Sequence, residues 1–135
     1  MKRVVLDTSV VVKWFSKEKG SLEAKEYIRQ LQQGKIDIFL PELAKYELAN
    51  ALLKGKNLSL PVARQAISLF YALPINFVAE ETSTARLSYK LAKELKITYY
   101  DACFLTLASK LKAVLVTANP RHQKKVGSIA KLERL

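Results

Sequence analysis

The 135-residue sequence predicts an α/β fold, a parallel sheet with helices on both faces, from three features. Short apolar segments of strand length alternate with longer segments of helical period. The strand-like runs, such as Val4 to Leu6 and Ala113 to Val116, are apolar throughout, as strands buried on both faces are. No internal repeat, low-complexity stretch or linker interrupts this pattern, so residues 1–135 read as one domain with one core.

Arg3 to Leu6 reads as the first strand, and Asp7-Thr8-Ser9 offers N-cap chemistry for a helix through Val12 and Phe15. Ser21 is expected to cap a second helix, in which Ala24, Tyr27, Ile28 and Leu31 keep helical spacing until Gly34 stops it. Ile36 to Leu40 reads as a strand. Pro41 is expected to open a third helix to about Lys54, and Ser59 and Pro61 to begin a fourth through Ala72, making a helical hairpin. Ile75 to Val78 is strand-like, and Thr82 or its neighbours start a helix to Leu95. Thr98 to Asp101 leads into an apolar helix ending near Leu111, and Ala113 to Thr117 is the last strand expected.

Half of the residues are hydrophobic and the mean hydropathy is zero, so burial can offset chain entropy without disulfides. No apolar run approaches the roughly 20 residues that span a bilayer, which excludes membrane insertion as an expectation. Asp7 and Lys13 interrupt the N-terminal apolar run before a signal-peptide core could form. The single cysteine, Cys103, lies among Ala102, Phe104 and Leu105 as a small hydrophobe, and a reducing cytoplasm fits. Twenty-three basic and twelve acidic side chains leave a net charge of +11, which favours polyanionic partners, although the excess is spread along the chain.

In open α/β sheets ligand chemistry sits at the carboxyl ends of the strands, and no Gly-rich phosphate loop follows any strand here. Asp7 stands directly after the first strand, either as a helix cap or in that crevice. Asn119 follows the last strand and reaches the same edge if the two strands are neighbours; it is otherwise a turn residue before Pro120. On the third helix Glu47, Asn50 and Lys54 share one stripe at about 100° per residue, either its solvent-facing edge or the lining of a wet cleft. Asp101 starts a helix that is apolar in most directions. It can act as a favourable charge at the N-terminus, or, if drawn inward, it needs a cation or several donors.

Taken together, four segments resemble the motifs of PIN domains in order and spacing: Val4-Val5-Leu6-Asp7-Thr8-Ser9-Val10, Tyr46-Glu47-Leu48-Ala49-Asn50-Ala51-Leu52, Thr98-Tyr99-Tyr100-Asp101-Ala102 and Leu115-Val116-Thr117-Ala118-Asn119. Within that family the sequence is most similar to VapC-type toxins, ribonucleases of prokaryotic toxin-antitoxin pairs. The resemblance implies an endoribonuclease that binds Mg²⁺ or Mn²⁺ through Asp7, Glu47 and Asp101, with Thr8, Ser9, Thr117 and Asn119 in support. It further implies an RNA substrate, a small antitoxin protein as partner and a homodimer. The fourth motif departs from the family pattern, because Asn119 stands where another aspartate is usual and offers an amide oxygen without charge.

Elementary chemistry supports the grouping. Three carboxylates within a few ångströms raise one another's pKa unless a divalent cation compensates them, and hard oxygen donors favour Mg²⁺ or Mn²⁺. Lys13, Lys54, Arg86, Lys90, Arg121, Lys124 and Lys125 are candidates for a basic rim, each also explicable as a solvated surface charge. Trp14 is expected in the core or an interface, and the lone His122 does not make a zinc site. A haloacid-dehalogenase phosphatase would carry an aspartate where Ser9 stands, and a receiver domain would carry paired acids at the first strand's end. The alternative from another class is a non-catalytic PIN scaffold that binds RNA or a protein, its fourth acid lost at Asn119.

Overall fold

The computed structural model describes residues 1–119 and 129–135. Five strands, β1 (Lys2–Leu6), β2 (Ile36–Pro41), β3 (Asn76–Val78), β4 (Val114–Thr117) and β5 (Lys131–Arg134), form one sheet in the order β3-β2-β1-β4-β5. Every neighbouring pair is parallel. Val4, Val5 and Leu6 of β1 and all of β4 are buried, so both faces of the central strands are covered, in agreement with their continuous apolar sequence.

Among the described residues six α-helices accompany the sheet: α1 (Thr8–Val11), α2 (Ser21–Gln32), α3 (Leu43–Asn50), α4 (Leu60–Ala72), α5 (Thr82–Leu95) and α6 (Tyr99–Leu111). The core joins β1, β2 and β4 to Val10, Val11, Leu48, Phe70, Leu91, Phe104 and Leu105 from these helices and to Leu52, just past α3. Trp14 is buried there, and its indole N–H donates to the Ala24 carbonyl at 2.8 Å. No helix among the described residues is long and apolar enough to cross a membrane.

The order runs from β1 to β2 and β3 on one side and continues with β4 on the other. The direction of the sheet therefore reverses between β1 and β4, where such sheets open a crevice at the strands' carboxyl ends. The Asp7 N–H donates to the Val116 carbonyl at 2.9 Å, which fixes the residue after β1 against the end of β4.

Several local expectations are corrected. Pro41 does not open the third helix; it is the last residue of β2, opposite Val78, where a missing N–H costs least, and Glu42 donates to the Val78 carbonyl at 3.0 Å instead. The third helix is α only to Asn50 and continues as a π-turn, Ala51–Gly55. The first helix tightens to a 3-10 turn over Val12–Phe15. Ser21 does not cap α2: Gly20, with φ of 89°, takes the cap position, while the Ser21 hydroxyl accepts from the Glu18 N–H and donates to the Ser16 carbonyl. Strand β5 was not anticipated. Only Leu132 in Lys131-Leu132-Glu133-Arg134 carries an apolar signal, and the strand forms because β4 presents an edge of backbone groups to pair.

Candidate active site

Asp7 meets both of its expected roles at once. It is 7% exposed, and one carboxylate oxygen accepts from the Ser9 N–H at 3.2 Å, capping α1. The other oxygen accepts from the Thr117 hydroxyl at 2.9 Å, across the β1–β4 crevice. Thr117 in turn accepts from the Asn119 N–H at 3.0 Å, and the Ser9 hydroxyl accepts from the Ala118 N–H at 3.1 Å. The ends of β1 and β4 are thus laced together by the Asp7–Thr117 and Ser9–Ala118 bonds, while the Asn119 N–H turns back on Thr117. A buried carboxylate held by two fixed donors keeps one orientation.

Glu47 comes to the same place from α3. It is half-buried, and the Thr8 hydroxyl, one residue after Asp7, donates to it at 2.7 Å. Burial raises the Glu47 pKa above the usual carboxylate range; the Thr8 bond opposes this, and the negative charges of Asp7 and Asp101 add to it. The Glu47, Asn50 and Lys54 stripe therefore runs from a half-buried end in the cleft to an exposed end, joining the two readings of that face.

Asp101 lies in the first turn of α6, half-buried. It is not the cap, because Thr98 holds that position and accepts from the Asp101 N–H at 3.0 Å. Hydrogen bonds from Thr8, Ser9 and Thr117 hold Glu47 and Asp7, and the charges of Asp7 and Asp101 act on Glu47. Among the described residues, no group of three or more His, Cys, Asp or Glu side chains is gathered tightly enough to hold a metal ion as the side chains stand. The donors are of the hard-oxygen kind that suits Mg²⁺ or Mn²⁺.

The other candidates divide. Lys13 is not a rim charge; its ammonium donates to Glu18 at 2.9 Å and to the Lys19 carbonyl at 2.7 Å. Lys54, Arg86 and Lys90 are exposed, Lys90 facing Glu94 at 4.0 Å. Arg121, His122, Lys124 and Lys125 lie outside the described residues. Cys103 is partly buried, and its thiol is pushed up to about 11 by burial and then by Glu80, which suits a packing role and not a nucleophile.

Sequence reasoning overlooked Tyr46 and Tyr100 as possible contacts. Each precedes a site carboxylate, and they are 73% and 56% exposed. The available signal was a large aromatic at a position that helical period turns away from the core.

Comparison with known proteins agrees with this architecture. The chain is 29% identical over 122 residues, 85% of its length and 88% of the relative's, to a protein named Ribonuclease VapC3 from Pyrobaculum aerophilum. Its fold is similar to that of VapBC2 from Rickettsia felis bound to a DNA fragment from its promoter. There the TM-score is 0.73 at 17% identity, covering 98% of each chain. It is also similar in fold to VapC20 from Mycobacterium tuberculosis, described as a toxin that cleaves the sarcin-ricin loop. That match has a TM-score of 0.69 at 11% identity and covers 91% of this chain and 95% of the other. Residues 4–128 match the PIN domain family, and the chain belongs to it.

Proposed function

We propose that this protein is a metal-dependent endoribonuclease, the toxin of a toxin-antitoxin pair. The observation that supports the reading is that Thr117 and Thr8 hold Asp7 and Glu47 at the β1–β4 crevice, where burial first, and then the charges of Asp7 and Asp101, make Glu47 harder to ionise. Such a cluster is costly alone and becomes favourable around a divalent cation. The names of the ribonuclease relative and of the toxin of similar fold support RNA as the substrate.

In this reading Asp7, Glu47 and Asp101 hold Mg²⁺ or Mn²⁺. When bound, the ion supplies charge compensation, polarises the scissile phosphoryl group and makes an attacking water more acidic. The chain's own part is orientation. Thr117 and the Ser9 N–H fix both oxygens of Asp7, and Thr8 directs Glu47 toward it. Asn119 stands at the margin, its N–H on Thr117, and contributes no fourth charge.

Two partners complete the proposal. A small antitoxin would place a basic side chain, an arginine by preference, among the three acids, where it pairs bidentately with carboxylate. The VapBC assemblies among the solved structures of similar fold support that partner. Self-association through the hairpin from Leu43 to Ala72 is supported by the exposure of Leu53, Leu60, Leu69 and Tyr71. Light scattering that finds only monomer at high concentration would remove the dimer. Such a toxin acts in the cytoplasm.

The test is cleavage of single-stranded and loop RNA by partner-free protein with Mg²⁺ or Mn²⁺. Removing metal with a chelator abolishes cleavage, and Asp101→Asn lowers it by on the order of 100-fold or more, since even groups that only support a metal ligand cost that much. Cleavage by Asp101→Asn at the parent rate assigns the activity elsewhere.

A further inference from the structure

We infer that Tyr46 and Tyr100 form a base-stacking flank beside the acidic site, so that the RNA is held there as an unpaired strand. The inference rests on the nuclease reading above and deepens it by naming the side chains outside the acidic group that grip the bases of such a strand.

The two residues occupy equivalent places on different helices. Tyr46 precedes Glu47 in α3, and Tyr100 precedes Asp101 in α6. At 3.6 residues per turn, each ring leaves its helix about 100° around from its carboxylate, in the same rotational sense. Neither faces the core: both rings are more than half exposed, in a chain whose Trp14 and Phe70 are buried.

Tyr100 is buttressed. Its ring meets that of Tyr99 edge-on, with centroids 6.4 Å apart and an interplanar angle of 78°. The Tyr99 hydroxyl donates to the Glu80 carboxylate, which anchors the supporting ring. Tyr46 borders a cavity of about 290 Å³ walled by Leu43, Val78, Cys103 and Leu107, which leaves room for a flat apolar group beside it. A ring with few internal degrees of freedom gives contact area at small entropic cost.

The electrostatics of the site explain why aromatic rings suit these positions. Asp7, Glu47 and Asp101 repel a polyanion, and Lys13, in the 3-10 turn that follows α1, is spent on Glu18. Base stacking supplies affinity without charge and is tolerant of sequence, because every base has a π-face. Paired bases are already stacked and their faces are hidden, so this flank selects single strands, loops or bulges.

The experiment uses the full chain, partner-free, with short single-stranded RNA carrying 2-aminopurine, and reads both binding and cleavage. Tyr46→Ala and Tyr100→Ala each raise KM by roughly tenfold and lower kcat by much less. Tyr46→Phe and Tyr100→Phe, which keep the ring, hold the fluorescence quenching that reports stacking, whereas the alanine variants lose it. Tyr89→Ala, which removes an exposed tyrosine from α5, changes neither. An abasic nucleotide at the quenched position weakens the parent and adds nothing to the loss in the alanine variant.

Unchanged KM and quenching in both alanine variants overturn the inference while leaving the nuclease reading intact. So does a duplex bound as tightly as the single strand, or a loss that follows dissociation of a dimer in light scattering, which assigns the rings to a protein interface. If the parent binds and quenches the RNA but cuts none, the nuclease reading fails and the stacking flank stands. If it neither binds nor cuts RNA, both fail.

Discussion

Two acidic centres join the same pair of structural regions at opposite ends, and they are built on opposite principles. At the carboxyl edge of the sheet, Thr8 at the start of α1 reaches Glu47 on α3. At the other end, Glu18, after the 3-10 turn, accepts from Lys56, just past the π-turn that extends α3, and from Lys13 and Ser16. Glu47 is half-buried under the influence of two like charges, Asp7 and Asp101, and its pKa is raised, burial being the first cause. Glu18 sits between two ammonium groups, Lys56 first and Lys13 second, and is pulled down to about 2. One carboxylate stabilises the fold; the other is held at a cost that a bound cation can offset. A perturbed carboxylate in a cleft with like-charged neighbours is a functional candidate, and one between two lysines is a structural clamp.

The strongest way to break the active-site half of this comparison short of removing an acid is Thr117→Val. The side chain is fully buried and keeps its shape, but the donor to Asp7 is lost. RNA cleavage falls roughly 10- to 100-fold, as for outer-shell partners of metal ligands, while the far-ultraviolet dichroism spectrum is unchanged. Parent-like kinetics in this variant would mean that Asp7 needs no orientation from β4.

The clamp half is tested by Glu18→Gln. A carboxylate with a lowered folded-state pKa gives stability that is present above its ordinary value of 4.5 and is lost as pH falls toward about 2. The variant should therefore be less stable than the parent at neutral pH by about 1 kcal/mol, a figure kept small because the cluster is partly solvated. The gap closes between pH 4.5 and 2, and denaturant midpoints measured across that range read it. RNA cleavage is unaffected at temperatures where both proteins are folded.

The smallest effect sharpens the contrast by its sign. In metal-free protein Glu47 has a raised pKa, so its folded form holds a proton more tightly. The stability linked to it is greatest in acid and declines as pH rises through the interval above 4.5. Glu47→Gln should raise the melting temperature at neutral pH by about 1 °C, well under the roughly 3 °C that about 1 kcal/mol gives in a domain of this size. The same substitution abolishes the stabilisation that added Mn²⁺ gives the parent. A lower melting temperature for the variant without metal would place Glu47 with Glu18 among stabilising acids.

The strand-and-helix alternation and the position of Asp7 were legible in the sequence, because a buried strand, a capping run and helical period are local properties of the chain. The four motifs, in order, also single out Glu47 and Asp101 as companions of Asp7. Local pattern left other matters undetermined. Pro41 reads as a helix opener until the partner of β2 is known, and β5 reads as a charged tail until β4 offers it an edge. Asp101 reads in sequence either as a terminal charge or as an acid drawn inward, and only the backbone of α6 gives the cap to Thr98.

What the sequence by itself determined is the chemistry on offer: hard oxygen donors after strands and on apolar helices, in a basic chain. The tertiary structure decided which of them meet. Glu47 is 39 residues from Thr8, Thr117 is 110 from Asp7, and Lys56 is 38 from Glu18. Contacts at such separations depend on the strand order that sets β4 beside β1 and on the packing that lays α3 across α1. Neither has a local signature. A carboxylate's charge is written in the chain, but whether its neighbours raise or lower its pKa is a property of the assembled fold.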